Sequence, residues 1–264
     1  VKNPVLIWLL RKFEKRIYKR SEHVVALSPG MQEGVVKAGT PIEKTTMIPN
    51  MSKPDIFHPH EINNEVVKRF NLDLSKFNVI HFGMLAVANG LEYIVNAALE
   101  LKKRGDESIN FIFMGEGAME PELKQFCKDN DLRNVQFLGN HPVGVVAEVT
   151  NCCGASITSF KNLPILATNS PNKLFDSLSA GKPIIVNSAG WTKDMVEQQN
   201  CGFYVNVEKP EELAEKLLEY KDKKQLLEEW GHNARRLSIE VYDKAKLSSQ
   251  VADVLEKAYN NIKK

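Results

Sequence analysis

Long apolar runs are absent from this sequence of 264 residues. The longest, Val5 to Leu10, is far shorter than the roughly 20 residues that a membrane-spanning helix requires. Basic residues follow it, where a secretory signal peptide would have a small-residue cleavage site. A membrane-spanning or secreted protein is therefore not predicted, and we expect a cytoplasmic location.

Cysteine is scarce as well, with four residues, of which none belongs to a CxxC pair. The adjacent Cys152 and Cys153 do not have the spacing of metal ligands. Buried, reduced thiols are the ordinary interpretation of Cys127, Cys152, Cys153 and Cys201, since a free thiol packs like a small hydrophobic group. This interpretation predicts a reducing compartment and no metal site.

A complete dinucleotide-binding fingerprint is also missing. Gly115-Glu116-Gly117 follows an apolar strand pattern, but the third glycine of GxGxxG would be needed at Glu120. NAD binding is therefore disfavoured, and no bound cofactor is predicted.

A basic face spread over the whole chain is lacking too. The net charge is +2, yet residues 1–20 hold seven Lys or Arg against one Glu, so the remaining residues are mildly acidic. A nucleic-acid-binding protein usually spreads its basic charge over a binding face, and nucleic acid is therefore not a predicted partner. The content of 43% hydrophobic and 26% charged residues is that of an ordinary globular domain.

The basic segment has the pattern of an amphipathic helix over Val5–Arg20. Its apolar stripe consists of Leu6, Leu9, Leu10, Phe13 and Ile17, and its basic side consists of Lys12, Lys15, Arg16 and Lys19. Two interpretations stay open and do not exclude each other. The helix packs against the rest of the protein, or it lies on an anionic membrane surface.

From Ser21 onward, short apolar strands alternate with helical patterns. The predicted strands are His23–Leu27, Thr46–Pro49, Asn78–Phe82, Asn110–Met114, Val135–Leu138, Ala155–Thr158, Pro183–Asn187 and Gly202–Val205. The predicted helices are Gly30–Ala38, Leu91–Arg104, Glu120–Asn130, Val143–Asn151, Pro171–Ala180, Asp194–Gln199 and Glu211–Tyr220. This alternation predicts an α/β fold with a Rossmann-like, doubly wound parallel sheet over residues 21–222, followed by helices over 223–264.

Ligands bind such sheets beyond the carboxyl ends of the strands, so the loops at those ends form the candidate site. In the first loop, Gly83 permits a close backbone approach, and Asn89-Gly90 is a turn that precedes a helix. In a later loop, Asn140 and His141 follow the strand VQFL. The sequence leaves open whether His141 contacts a base or stays solvated.

The loop Ser170-Pro171-Asn172-Lys173 is the most informative. Ser170 is a preferred N-cap residue and Pro171 a preferred first-turn residue, which predicts a helix start here. The unpaired N–H groups and positive dipole end of a helix start suit a diphosphate, and Lys173 would add positive charge. Asp176 lies on the same helix face, where a carboxylate can accept hydrogen bonds from two ribose hydroxyls. A surface salt bridge between Lys173 and Asp176 is the alternative.

These loops, in this order, resemble the C-terminal domain of retaining GT-B glycosyltransferases of the family 4 type. The matching segments are VVALSPGMQEGVVKAGTPIEKTTMIPNMSKPDIFHP, HFGMLAVANGLEYIVNAA, FIFMGEGAMEPELKQF, NVQFLGNHP and SPNKLFDSLSAGKPIIVN. The combination of NG, PNK, D and AGKP is similar to that of bacterial transferases that build O-antigen or capsule from UDP-linked N-acetylamino sugars. The resemblance implies that the other half of the GT-B fold precedes Val1, that residues 1–20 are the end of that half, and that this truncated form is inactive alone.

The chain departs from the family at four charged positions. Asp176 stands where the family has a ribose-binding Glu, and Thr168 stands where a second Glu is usual. Met84 and Asn89 occupy the positions of a phosphate-binding Arg and Lys. Two explanations compete: a branch in which the NG turn and the PNK helix start replace the charged set, and a degenerate, non-catalytic relative.

The resemblance implies retaining transfer of a sugar from a nucleotide donor, with UDP expected, to a lipid-linked saccharide at the cytoplasmic membrane face. Lys173 would stabilise the leaving diphosphate, and no catalytic base or nucleophile is assigned. The donor-binding set is Gly83, Asn89, Gly90, Gly115, Gly117, Asn140, His141, Ser170, Pro171, Asn172, Lys173 and Asp176. The alternatives are a non-catalytic nucleotide-sugar-binding or scaffold domain, and a nucleotide-sugar epimerase, whose expected carboxylates and histidine are not apparent.

Overall fold

The computed structural model describes residues 3–262, so Val1, Lys2, Lys263 and Lys264 of the predicted terminal helices lie outside the described residues. The strands are β1 (Val24–Ala26), β2 (Thr45–Met47), β3 (Phe77–Phe82), β4 (Ile109–Met114), β5 (Val135–Gly139), β6 (Ala155–Thr158), β7 (Ile184–Val186) and β8 (Gly202–Tyr204). Six of them form an all-parallel sheet in the order β5-β4-β3-β6-β7-β8. The predicted doubly wound parallel sheet is confirmed. The strand order reverses between β3 and β6, which is where such sheets bind ligands.

Helices connect the strands and cover both faces of the sheet. They are α1 (Pro4–Arg20), α2 (Pro29–Lys37), α3 (Asn64–Phe70), α4 (Glu92–Lys103), α5 (Glu120–Asp129), α6 (Val143–Asn151), α7 (Asn172–Ser179), α8 (Trp191–Gln198), α9 (Pro210–Tyr220), α10 (Lys224–Glu240) and α11 (Lys244–Ile262). Helix α3 was not predicted from the sequence. The predicted C-terminal helical stretch is interrupted at Val241–Asp243, where the Asp243 carboxylate accepts the backbone N–H groups that begin α11.

Consecutive apolar residues in the central strands explain the two-sided core. In β3, Val79 belongs to a cluster that includes residues of α4 and α9, whereas Ile80 belongs to a cluster on the other face that includes residues of α6. A third cluster joins Leu174 and Phe175 of α7 to β7. Since helices cover both faces, the strands are largely apolar, and the candidate site lies in the loops at their carboxyl ends.

The first two strands stand apart from the main sheet. Val24 pairs with Thr45 in a separate two-stranded parallel sheet formed by β1 and β2. Residues 50–57 then run along the main domain, where the Ser52 hydroxyl lies 2.6 Å from the Ser238 carbonyl oxygen and 2.7 Å from that of Tyr242. This segment is therefore held by the end of α10.

Helix α1 makes little use of its apolar side within residues 3–262. None of its residues is buried, and the side chains of Trp8, Leu9, Leu10 and Phe13 are at least half exposed. Packing of this face against the rest of the described chain, one of the two interpretations of the segment, is therefore not observed.

All four cysteines are buried and free, as expected from the sequence. Burial raises the pKa of Cys153 and Cys201 to about 12 and that of Cys127 to about 11, so these thiols stay protonated near neutral pH. Among the helices of residues 3–262, none is both long and apolar enough to cross a membrane.

Candidate functional site

A cavity of about 360 Å³ opens at the carboxyl ends of β3, β4 and β5. Its floor is apolar, and the rings of Phe57 and Phe82 stack there with centroids 5.7 Å apart. The predicted site residues that line it are Gly83, Gly115, Asn140, His141 and Asp176. The fold therefore brings loops that are far apart in the sequence to one place at the sheet edge.

Asp176 supplies a buried carboxylate to this cavity. The residue is only 6% exposed, and its Oδ1 atom is buried without a hydrogen-bond partner among residues 3–262. Its Oδ2 atom lies 3.3 Å from Nζ of Lys53. Burial raises the pKa of Asp176, and the Lys53 ammonium partly opposes that shift. A buried carboxylate oxygen without a partner is unfavourable, and a hydroxyl donor that reached it would satisfy it.

Lys53 was not predicted as a site residue. It lies in the segment that follows β2, 123 residues before Asp176, and its side chain is 38% exposed. Its contact with Asp176 replaces the alternative pairing between Lys173 and Asp176, which is not among the ion pairs of residues 3–262. Only the fold could show this contact, because no local spacing connects the two positions.

The side chain of Lys173 is held by His81, which was not predicted as a site residue. Its Nζ atom lies 2.9 Å from Nε2 of His81 in β3, and Nδ1 of His81 lies 3.2 Å from the carbonyl oxygen of Ile157. A carbonyl oxygen only accepts hydrogen bonds, so Nδ1 carries the proton and Nε2 accepts from Lys173. Burial lowers the pKa of Lys173 to about 7. Burial, and then the nearby Lys173, hold the pKa of His81 well below its ordinary value.

The start of α7 differs from the prediction. Ser170 was predicted as the N-cap and Pro171 as a first-turn residue, but Pro171 has extended dihedral angles and the helix begins at Asn172. The Ser170 hydroxyl instead accepts the backbone N–H of Asn50 at 3.2 Å, and the Asn50 amide donates to the Ser170 carbonyl. The N-cap assignment is therefore wrong, because a distant segment binds the serine. No side chain caps α7 within the described chain, so its first turn stays available to an anion.

Close packing between two loops explains the glycines at positions 115 and 117 without any ligand. A Cβ at Gly115 would lie 2.0 Å from the carbonyl oxygen of Gly83, and one at Gly117 would lie 2.4 Å from that of Leu85. Backbone hydrogen bonds from Gly83 to Met114 and from Leu85 to Glu116 join the same two loops. Gly115 lines the cavity, whereas Gly117 serves the contact between the loops.

Asn89 and Gly90 are not brought to the cavity. The Asn89 side chain is buried and donates from Nδ2 to the carbonyl oxygen of Met84 at 2.5 Å. Gly90 has a φ of +57° and lines a different hollow together with Lys161. These two residues shape the first loop, and a direct role in binding the donor finds no support in their positions.

Asn140 and His141 form the far wall of the cavity. The Asn140 amide donates to a carboxylate oxygen of Glu116 at 3.3 Å. His141 is partly buried, hydrogen-bonds through Nε2 to the carbonyl oxygen of Leu138 at 2.9 Å, and meets the ring of Phe70 edge-on. Of the two alternatives for His141, a fully solvated ring is therefore excluded.

The chain departs from the family resemblance at Thr168 and Met84, and these two residues have different surroundings. Thr168, where the family has Glu, packs against Gly30 at the start of α2, since a Cβ on Gly30 would lie 2.6 Å from the Thr168 methyl group. Its hydroxyl donates to the carbonyl oxygen of Ile165. Met84, where the family has Arg, is 69% exposed at the rim of the cavity. In residues 3–262, no cluster of His, Cys, Asp and Glu has the arrangement of a metal site.

The family model described as "Glycosyl transferases group 1" matches residues 76–222, which is more than half of the chain. This match includes β3 to β8 and every wall of the cavity except Phe57. The chain belongs to the group 1 glycosyl transferases.

Among curated proteins, this group 1 chain is similar to the alpha-galactosylglucosyldiacylglycerol synthase of Streptococcus pneumoniae (strain ATCC BAA-255 / R6). The two are 26% identical over 239 residues, which cover 88% of this chain and 60% of the synthase. It is also 22% identical to the alpha-D-kanosaminyltransferase of Streptomyces kanamyceticus, over 72% of this chain and 48% of that protein. The chain therefore spans about half to three fifths of the length of these relatives.

Solved structures confirm the fold of this group 1 domain as the Rossmann-like half of GT-B glycosyltransferases. Anabaena Alr3699/HepE in complex with UDP and glucose superposes with a TM-score of 0.74 at 21% identity, covering 89% of this chain and 63% of HepE. Sucrose-phosphate synthase from Thermosynechococcus elongatus superposes with a TM-score of 0.78 at 17% identity, covering 95% and 62%.

Proposed function

We propose that this chain is the donor-binding half of a retaining glycosyltransferase that moves a sugar from a UDP-linked donor to a lipid-linked saccharide. The observation that carries the proposal is the Oδ1 atom of Asp176, a buried carboxylate oxygen without a partner at the wall of the cavity. Leaving such a group unpaired is costly in an empty protein and is offset when a ligand hydroxyl donates to it. A ribose would satisfy it.

The proposed diphosphate site lies at the start of α7. The first turn of this helix has no side-chain cap among residues 3–262, and Lys173, its second residue, holds an ammonium group beside Gly83. A cation there compensates for the uncharged residues Met84 and Asn89 in the first loop. The first turn of α7 and Lys173 together offer backbone N–H groups and one ammonium group to the negative charge that develops on the leaving diphosphate.

The assignment of the nucleotide and the acceptor rests on the relatives. HepE was solved with UDP and with UDP-glucose, and its fold superposes on this one. The pneumococcal relative is named for a glycosylated diacylglycerol. We therefore propose UDP as the donor nucleotide, a lipid-linked acceptor and, from the family resemblance, retention of configuration.

Thr168 favours a second candidate, a nucleotide-sugar-binding or scaffold domain without transfer activity. Its side chain packs against Gly30 and is not among the residues that line the cavity. A transferase of this family usually has a Glu at that position, so its replacement removes a charged contact with the donor. Both candidates require donor binding, and only an assay of sugar transfer separates them.

Asp176→Asn tests the ribose contact. UDP and UDP-glucose are expected to raise the melting temperature of the wild-type chain more than GDP or ADP, since a ligand at ~100 times its dissociation constant adds ~2.7 kcal/mol. The variant is expected to lose about tenfold in affinity, because an amide accepts fewer hydrogen bonds than a carboxylate. Differential scanning fluorimetry with a concentration series of each nucleotide measures both effects.

The matched control is Asp194→Asn, which changes an exposed carboxylate in the first turn of α8, outside the cavity. It should retain the nucleotide response of the wild-type chain. Equal responses of the Asp176 and Asp194 variants would contradict the ribose assignment. Absence of any nucleotide response in the wild type would contradict the donor site itself.

We also propose that α1 contacts the membrane surface. Its apolar residues are exposed, and six of its Lys or Arg residues share the helix with a single Glu. The chain is expected to co-sediment with phosphatidylglycerol vesicles but not with phosphatidylcholine vesicles, and less at high salt. The double variant Leu9→Asn, Phe13→Asn should abolish this binding, whereas Leu255→Asn, an exposed leucine of α11, should not. If the wild type does not bind anionic vesicles, the apolar face of α1 serves a protein contact instead.

A further inference from the structure

His81 occupies the point where the strand order of the main sheet reverses. It is the penultimate residue of β3, which lies between β4 and β6, and it is 1% exposed. Its ring lies 6.1 Å from that of Phe113, in the core between the sheet and α4. Lys173 belongs to α7, whose neighbouring residues pack on the opposite face. The contact between the two side chains therefore bridges the crevice in which open parallel sheets bind ligands.

The hydrogen bonds of His81 fix its chemical role. Nδ1 donates to Ile157, so Nε2 presents a lone pair, and Lys173 is the partner of that lone pair. A carboxylate at this position would form an ion pair with Lys173 and compete with an anionic ligand. A hydrocarbon side chain would leave a buried ammonium N–H without a partner, which is unfavourable. A neutral imidazole satisfies one N–H of Lys173 and leaves its positive charge uncompensated.

The surroundings of Gly83 show where that charge is available. Gly83 lines the cavity, and a Cβ at this residue would lie 3.8 Å from Nζ of Lys173. The ammonium group therefore lies directly beside the cavity wall. An ammonium has three N–H donors, and only one is used by His81.

We propose that His81 is a positioning residue, which holds the ammonium group of Lys173 beside Gly83 so that its remaining N–H donors meet the diphosphate of the nucleotide donor. The proposal rests on the donor site described above. The sequence pattern had predicted no role for this buried histidine. The same contact gives donor binding a pH dependence that can be measured.

The charged groups near Lys173 determine the direction of that pH dependence. Asp176 lies one turn further along α7 and is paired with Lys53, and Glu116 lines the cavity from the loop after β4. Lys173 itself forms no ion pair among residues 3–262, and burial alone lowers its pKa to about 7. A bound diphosphate would raise that pKa, because an anion favours the ammonium form. Donor binding above pH 7 is therefore coupled to proton uptake.

The experiment measures the affinity for UDP-glucose from pH 5.5 to 9 by isothermal titration calorimetry. UDP-glucose is preferred to UDP because its diphosphate, esterified at both ends, does not titrate near neutral pH. The wild-type affinity is expected to be constant below about pH 7 and to fall by up to about tenfold per pH unit above it. Calorimetry in buffers of different ionisation enthalpy should show an uptake approaching one proton at the alkaline end.

His81→Phe removes the acceptor for Lys173. This variant is expected to bind UDP-glucose about tenfold more weakly at pH 7. The pH above which its affinity falls should also be lower than in the wild type. The direction follows because the lost hydrogen bond had favoured the ammonium form of Lys173. His81→Asn, whose amide oxygen restores an acceptor, should recover part of the affinity and of the wild-type pH profile. If His81 had only a structural role, its substitution would weaken binding but would not change the pH above which the affinity falls.

A second measurement needs no nucleotide. The Nζ resonance of Lys173, assigned through Lys173→Met in ¹⁵N-lysine-labelled protein, should titrate near pH 7 in the wild type and at lower pH in His81→Phe. If both variants of His81 titrate and bind like the wild type, the positioning role is overturned while the donor site stands. If the wild type does not bind UDP-glucose, the proposed function and this inference both fail.

Discussion

Lys173→Met should abolish most of the affinity of the chain for UDP-glucose, with an expected loss of about 100-fold. The substitution keeps the length and apolar part of the side chain and removes the cation at the start of α7. The bound diphosphate would then rely on backbone N–H groups alone. The rate of the proposed sugar transfer should fall by roughly 10²–10³, the usual effect of removing one preorganised donor for developing negative charge. Isothermal titration calorimetry and a radiolabelled transfer assay measure the two effects.

Lys182→Met is the matched control for this prediction. Lys182 is a partly buried lysine whose pKa is lowered by desolvation, and its Nζ donates to the carbonyl oxygen of Asn151 at 2.7 Å. It follows α7 at the opposite edge of the sheet and does not line the donor cavity. Its variant should lower the melting temperature without a selective loss of UDP-glucose binding. Equal losses of affinity in both variants would contradict the role of Lys173.

Gly115→Ala is expected to destabilise the fold by about 3 kcal/mol or more, whatever its effect on the ligand. Gly115 has a φ of +150°, which L side chains rarely adopt, and the new Cβ would lie 2.0 Å from a backbone oxygen. The loops after β3 and β4 would have to separate, which breaks the hydrogen bonds between them. Urea unfolding followed by circular dichroism measures the change in the free energy of unfolding.

Gly144→Ala provides the comparison. Gly144 lies in α6, and a Cβ added there meets no atom within 4 Å. Alanine is the better helix former, so this variant should be more stable by up to about 1 kcal/mol. A Gly115 variant as stable as the wild type would show that the two loops separate without cost, and the structural explanation of Gly115 would be wrong.

The sequence predicted the regular elements well because their signals are local. All eight strands were placed within one or two residues, since short apolar runs between turn residues determine them. Helix α6 was predicted with its observed bounds, Val143–Asn151. Helix α3 was missed because seven residues hold too few apolar positions to show a period. The separation of β1 and β2 from the main sheet depends on which distant strands pair. The residue pattern of a single strand does not identify its partner.

The candidate site was predicted in part. The contacts that were not predicted share one physical cause. Asp176 and His141 were found because each follows a strand or helix start of recognisable pattern. Lys53 and His81 were missed because each acts through a partner about a hundred residues away. Ser170 was misassigned as a cap for the same reason, since Asn50 binds it across the fold. Hydrogen bonds between distant segments leave no periodic trace in a sequence.

The anchoring of Ser52 by α10 has a consequence for where the borders of the folding unit lie. The matched family model ends at residue 222, yet Lys53 reaches Asp176 from a segment that residues after 222 hold in place. Arg235 likewise binds the carbonyl oxygens of Phe57 and Ser179, one on each side of the site. The borders of the family model and those of cooperative folding therefore do not coincide, because these anchors join residues before position 76 to residues after position 222.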